Sequence, residues 1–332
     1  MAQSGAVIPD PRPCGDPRVR RIAVIGAGPM GASLAALTAP HVPTVLVARD
    51  ESRARQIAAA GIALDGLLAG YGRPAVVRSI GSLATVPDID LVVVATKTTA
   101  LPEVCAELRR MLPARAFVAS YQNGIEPART IMRMLDSARV VRLVLRYGAV
   151  LVPAADPHAA LRVHVPLHEP PHFIGGEGEA LAFARHLAPW ITSFGLPLEA
   201  TDDIEGEAWR KGIENAAGNP VAALVQAPLG ELLASPARAL IERLLDEGVA
   251  VARAAGIAIP GTYREAVLRR MAAGGCHVPS MAEDVRAGRP TEITQLTEQI
   301  ARRGRALGIP TPTHDAILDL VRVFDWRAHR RA

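Results

Sequence analysis

In the stretch WRKGIENAAGNP (residues 209–220), three side chains could do chemistry: Lys211, Asn215 and Asn219. Their spacing is i, i+4, i+8. At about 100° per residue they drift only about 80° over two helical turns, so a helix here sets an ammonium and two amides on one face. Such a face can bind an oxyanion or polarise a carbonyl. A lysine can also surrender a proton, which an arginine with its pKa above about 12 cannot usefully do. Lysine starts near a pKa of about 10.4 and falls on desolvation or beside other cations. A general acid works best when its pKa approaches the operating pH. Ketone reduction needs such a donor, because arriving hydride turns the carbonyl into an alkoxide. The competing reading is a solvated helix face. Gly212 and Gly218 each cost roughly 1 kcal/mol inside a helix, which points to a close backbone approach.

Composition gives these residues weight. Of 37 basic residues, all but Lys97 and Lys211 are arginine, and Asn123, Asn215 and Asn219 are the only asparagines. A GC-rich coding bias explains both depletions. Under it, a position that needs only charge or polarity drifts to Arg, Ser or Gln. The survivors therefore point to sites; chance is the alternative. Lys97 closes the apolar run LVVVATK and Asn123 sits in YQNG. Both fall at the ends of expected strands, where doubly wound sheets bind ligands. A loop residue capping a turn is the plainer reading of each.

The elements that must position these groups follow from hydrophobic patterning. From residue 21, RIAVIGAGPMGASLAALTA reads as strand, glycine turn and helix, and TVLVAR as a second buried strand. GIALDG and RPAVVRSI read as a strand pair joined by LLAGYG. DIDLVVVATK and AFVASYQNG are strands followed by helices. VVRLVLRYGAVLV, LRVHVP and HFIGG read as strands that finish the same sheet. Strands alternating with helices imply a mostly parallel, doubly wound sheet. Beyond residue 201 the pattern is helical, with segments near 204–227, 236–256, 262–273, 280–287, 291–307 and 312–327, separated by Gly and Pro. The fold class expected is α/β: a flexible tail over 1–20, a Rossmann-type domain over 21–200, and an all-α domain over 201–332. The cleft between the domains is the default active site.

Gly26, Gly28 and Gly31, with Pro29 and Met30 between them, form GxGxxG directly after a strand and at the start of a helix. Such glycines permit a tight turn and close approach of a pyrophosphate to the helix N-terminus. The alternative is a glycine turn that only packs a βα unit. At the tip of the second strand, LVARD offers Arg49, which favours the 2′-phosphate of NADPH. Asp50, two positions along, is the alternative ribose ligand for NADH.

Other classes are disfavoured. The net charge of +4, the scattered arginines and the scarcity of aromatics argue against a nucleic-acid surface. No run of about 18 apolar residues suggests a membrane span. The N-terminus lacks the apolar core of a signal peptide. Cys14, Cys105 and Cys276 form no CxxC pair, which fits a reducing cytoplasm. His164, His168 and His172 have helical spacing, but Pro166, Pro170 and Pro171 forbid a regular helix. They read as loop and strand histidines, and no metal is expected.

The motifs GAGPMG, VVVATK, QNG, WRKGIENAAGNP and PSMAEDVRAGRPTEI together resemble the successive motifs of the ketopantoate reductase (2-dehydropantoate 2-reductase) family, in order and over nearly the whole chain. The resemblance implies a Rossmann domain plus a helical domain, and NADPH-dependent reduction of a small 2-keto acid, ketopantoate, to pantoate on the way to coenzyme A. It implies Lys211 as the general acid, with Asn215, Asn219 and Ser280 holding substrate oxygens. Glu292 would bind a substrate hydroxyl and the cofactor ribose region, with Asn123 and Lys97 by the nicotinamide. Ser280 alone could be a helix N-cap, and Glu292 a first-turn carboxylate favoured by the helix dipole. The family runs Asp-x-x-Asn-Gly after TEI, where this chain has Thr294, Thr297 and Glu298; Leu229 falls where some members carry a polar residue. These departures imply an altered pocket wall. They leave open a paralogue acting on another 2-keto acid or an imine. A nucleotide-binding sensor without turnover is the reading from another class. A homodimer is compatible with the sequence, which fixes no oligomeric state.

Overall fold

The computed structural model describes residues 19–153, 156, 158–276 and 278–330. Cys14 and most of the expected tail lie outside them. The chain opens as β1 (Ile22–Ile25), α1 (Pro29–Thr38), β2 (Thr44–Val47) and α2 (Glu51–Ala60). Next come β3 (Ile62–Gly66), β4 (Gly70–Gly72), β5 (Ala75–Val77), β6 (Leu91–Val94), α3 (Leu101–Met111), β7 (Phe117–Ser120) and α4 (Pro127–Met134). The sheet region ends with β8 (Val140–Val144), β9 (Tyr147–Val152), β10 (Leu161–His168), β11 (His172–Gly175), α5 (Glu179–Thr192) and β12 (Leu198–Ala200). The main sheet has the order β12-β11-β8-β7-β6-β1-β2-β5 and is parallel except where β11 meets β8. β1, β2 and β6 are buried at every position, as strands covered on both faces must be.

Two strand readings are corrected. GIALDG does not pair with RPAVVRSI. β3 pairs with β4, which is GYG itself, while β5 joins the main sheet beside β2. VVRLVLRYGAVLV is two strands in two sheets. β8 stays in the main sheet, and β9 leaves it for a second sheet of order β4-β3-β10-β9. The break falls at Leu145 and Arg146, where the Arg146 N–H donates to His172 Nδ1 instead of a strand neighbour. Helix α1 lies between the two sheets, and its alanines 32, 35 and 36 are wholly buried. A helix buried all round needs small residues, and a Cβ on Gly72 would sit 2.5 Å from the Ala36 carbonyl.

The helical region comprises α6 (Ile204–Val225), α7 (Leu229–Leu233), α8 (Ala237–Ala254), α9 (Tyr263–Ala273), α10 (Ser280–Arg286), α11 (Thr297–Leu307) and α12 (Pro312–His329). Helix α6 is its axis and packs on α8, α10 and α12. Asp203 caps it by accepting from the Gly206 N–H, and Gln226 ends it in the left-handed region. Gly212 and Gly218 serve side-chain packing rather than backbone approach. A Cβ there would meet Ile125 at 3.1 Å, and Met271 at 2.9 Å with Leu229 at 3.1 Å. Pro220 cannot donate to the Ala216 carbonyl one turn back. The Thr297 hydroxyl reaches that carbonyl at 3.5 Å.

Candidate active site

A cleft of about 1450 Å3 runs from the glycine turn across the C-terminal edge of the main sheet to one face of α6. That exceeds the usual volume for one small ligand, roughly 300–1,000 Å3, and leaves room for a dinucleotide beside a substrate. Gly26, Gly28, Pro29, Met30, Arg49, Lys97, Asn123, Lys211, Asn215, Asn219, Ser280 and Glu292 all line it. Gly31 lies behind them.

At the cofactor end, Gly26 has φ +111°, which favours glycine, and a Cβ on Gly31 would collide with the Gly26 carbonyl at 1.9 Å. Gly28 caps α1, and a Cβ there would meet nothing within 4 Å. That open space before a helix N-terminus fits a pyrophosphate. At the β2 tip, Asp50 is occupied in capping α2, where it accepts from the Arg53 N–H at 2.7 Å. Arg53 in turn donates to the Ala27 carbonyl. Arg49 is exposed and has no carboxylate partner among the described residues. Arg78, which the strand pattern did not single out, lines the same corner and donates to the Arg49 carbonyl at 2.7 Å. The corner thus offers the cations Arg49 and Arg78 beside Asp50, which caps α2 through Oδ1 alone.

At the other end, α6 presents Lys211, Asn215 and Asn219 together. Lys211 Nζ donates to Asn123 Oδ1 at 2.7 Å and to the Leu145 carbonyl. An ammonium has three donors, so one remains. Burial pulls the Lys211 pKa down to about 7, and Arg146 and Arg142 add to the fall, against Glu214 and Glu292. The amides of Asn215 and Asn219 make no hydrogen bond within the described protein and stay free for a ligand. Ser280 is the first residue of α10 and makes no capping bond, so the N-cap reading fails. Glu292 precedes a short 3-10 turn (Ile293–Gln295), and α11 starts only at Thr297, so Glu292 is not in a first helical turn. Burial raises its pKa, opposed by Lys97. Lys97 Nζ lies 3.3 Å from Asp284 of α10, which also pairs with Arg289, and so ties the sheet edge to the helical region.

The departures Thr294, Thr297 and Glu298 do not line the cleft. Thr297 serves the α6 backbone, and Glu298 pairs with Arg322. Only Leu229 is in the wall, where it packs near Gly218 and Met271. The expected change of pocket wall therefore shrinks to that single residue.

The histidines belong to β10 and β11. His164 pairs with Asp65. His172 accepts from the Arg146 N–H on Nδ1, so its Nε2–H points to His168 Nε2 at 3.1 Å. Burial, then His168, drops the His172 pKa to about 3, so it stays neutral and holds the Leu145–Arg146 segment. Buried Arg142 supports the site from behind. It pairs with Glu205 of α6 and donates to the Gly124 and Ile125 carbonyls, fixing the loop that carries Asn123. Sequence reading missed Arg142, Arg146, Glu214 and Arg270. Glu214, three residues after Lys211, was recoverable from helical spacing. Nothing distinguished the arginines among 35.

A nucleotide-type turn, a cation-lined strand tip and a lysine-amide helix face around one cleft define an oxidoreductase of the Rossmann type with a helical second region. The sequence matches the ketopantoate reductase PanE/ApbA family over residues 22–164 and the family's C-terminal region over residues 203–325. The chain belongs to the ketopantoate reductase family. It is 30% identical to 2-dehydropantoate 2-reductase of Mesorhizobium japonicum, over 91% of this chain and 97% of that one. The crystal structure of a ketopantoate reductase from Ralstonia eutropha superposes with a TM-score of 0.80 at 27% identity, covering 93% and 99% of the two chains. D-mandelate dehydrogenase in a ternary structure with NADH and anilino(oxo)acetate shares the fold, with a TM-score of 0.77 at 21% identity and coverage of 93% and 99%.

Proposed function

We propose that the protein reduces ketopantoate to pantoate with NADPH in a reducing cytoplasm, on the route to coenzyme A, with Lys211 as the proton donor. The observation that carries this reading is the Lys211 ammonium, held in the cleft by Asn123 and the Leu145 carbonyl with its pKa near about 7. The reduced nicotinamide, when bound, supplies hydride. The glycine turn would hold the pyrophosphate, and Arg49, with Arg78 beside it, would hold the 2′-phosphate. Lys211 orients the keto oxygen through its free N–H and gives it a proton as negative charge develops there. Its remaining bonds to Asn123 and Leu145 keep the amine aimed afterwards. Asn215, Asn219 and Ser280 add hydrogen bonds to substrate oxygens. Glu292, with Lys97 nearby, binds the substrate hydroxyl and the ribose side.

Leu229 in the cleft wall supports a second reading, a 2-keto acid with a more apolar tail. Steady-state NADPH oxidation decides between them. Saturable turnover with ketopantoate, falling at least about a hundredfold in kcat in Lys211→Arg, is the expected result. Turnover only with keto acids of more apolar tail selects the second reading. Near-normal kcat in Lys211→Arg removes the lysine as donor.

A further inference from the structure

Beside Lys211 the cleft holds a charged cluster that the reaction as described does not use. Arg146 Nη1 and Arg270 Nη2 both donate to the same oxygen of Glu214, Oε2, at 3.1 and 2.8 Å. The three side chains come from the β8–β9 break, α9 and α6, and all line the cleft. They are largely buried, at 13%, 32% and 14% exposure. We infer that Arg146 and Arg270, clamped together by Glu214, are the receptor for the carboxylate of the 2-keto acid substrate. The inference rests on the 2-keto acid reading above and extends it.

Donor supply is the first argument. Each guanidinium carries five N–H groups. One from each goes to Glu214, and among the described residues no other side-chain bond is made by either. The Arg270 Nε is buried without a partner. Two planar forks converging on one carboxylate oxygen leave donors suited to a second carboxylate.

Charge is the second argument. Lys211, Arg146 and Arg270 face two carboxylates, Glu214 and Glu169, and Glu169 is itself pushed toward its neutral form by burial and by Glu214. Across the cleft, Lys97 and Arg289 face three carboxylates, Glu283, Asp284 and Glu292. At least one positive charge is left over beside α6, and a carboxylate completes it.

Position is the third argument. In a 2-keto acid the carboxyl carbon is bonded to the keto carbon, so their receptors must be neighbours. Lys211 and Glu214 are i and i+3 on α6, about 5–6 Å apart at Cβ. Arg146 directly follows Leu145, whose carbonyl holds Lys211.

The test is calorimetric binding to the full chain saturated with NADP+, which reads affinity without turnover. The probes are two pairs, ketopantoate with its neutral lactone and pyruvate with its methyl ester. In the unaltered protein at least one acid should bind at least about tenfold tighter than its neutral partner. Arg146→Gln and Arg270→Gln should each weaken that acid about tenfold or more, and the neutral partner less than about threefold. Arg270→Lys should restore part of the loss. Equal losses for acid and neutral partner, no loss for either, or no acid binding at all would overturn the inference. The pattern seen with pyruvate alone would uphold the receptor while rejecting ketopantoate as the substrate. Absent NADPH oxidation beside selective acid binding would reject the proposed activity and leave the receptor standing.

Discussion

Lys211 is set apart by what surrounds it. Its ammonium sits among Arg146, Arg142 and the apolar face of the cleft, and burial with those cations brings its pKa to about 7. The form that donates a proton therefore exists below about pH 7 and is lost above it. For ketone reduction, kcat/KM should be flat on the acid side and fall about tenfold per pH unit above pH 7, while alcohol oxidation should rise with pH below about 7 and level off above it. A carboxylate docked beside the ammonium would favour its charged form, so the break in kcat should lie at higher pH than the break in kcat/KM. Coincident breaks would remove that coupling, and a profile flat to pH 9 would remove Lys211 as the titrating acid. Lys211 stood out in the sequence because its residue type is rare here. Arg146 and Arg270, of the commonest basic type, carried no such contrast.

Among the elements, the helices were the most legible. The six segments match α6 and α8–α12 to within a few residues at most ends, because Gly or Pro marks a boundary of each. Their mutual anchoring was not legible. Glu247 of α8 closes the N-terminus of α12, accepting from the backbone N–H groups of Thr313 and His314 and from His314 Nδ1. Burial opposes its ionisation, but these bonds win and hold its pKa down at about 2. The stabilisation is full above the ordinary carboxylate value of 4.5 and is lost as pH falls from there toward 2. Glu247→Gln should cost about 1–3 kcal/mol in urea unfolding at pH 7, with the gap to the unaltered protein closing at acid pH. A neutral result would show that the amide caps α12 as well as the carboxylate does.

For the whole molecule, the cleft draws on both regions, and Lys97 with Asp284 spans them. A nucleotide that binds only the folded chain should stabilise it by about 2.7 kcal/mol at a hundredfold excess over its Kd. NADPH should raise the thermal midpoint by several degrees and NADH by less at equal concentration. Arg49→Ala should bring the NADPH shift down to the NADH shift. Equal shifts in the unaltered protein would discard the 2′-phosphate role of Arg49.

By itself, the sequence determined the kinds of element, the glycine turn, and which lysine and asparagines lie on one face of α6, since each depends on neighbours a few residues away. Only the tertiary structure decided that β4 rather than β5 pairs with β3, that β9 leaves the main sheet, that Thr297 serves the α6 backbone rather than the pocket, and that Arg146 and Arg270 meet on Glu214. Those are contacts between residues far apart in the chain. Local periodicity is blind to them, because a buried strand or an arginine looks the same in sequence whichever partner it finds.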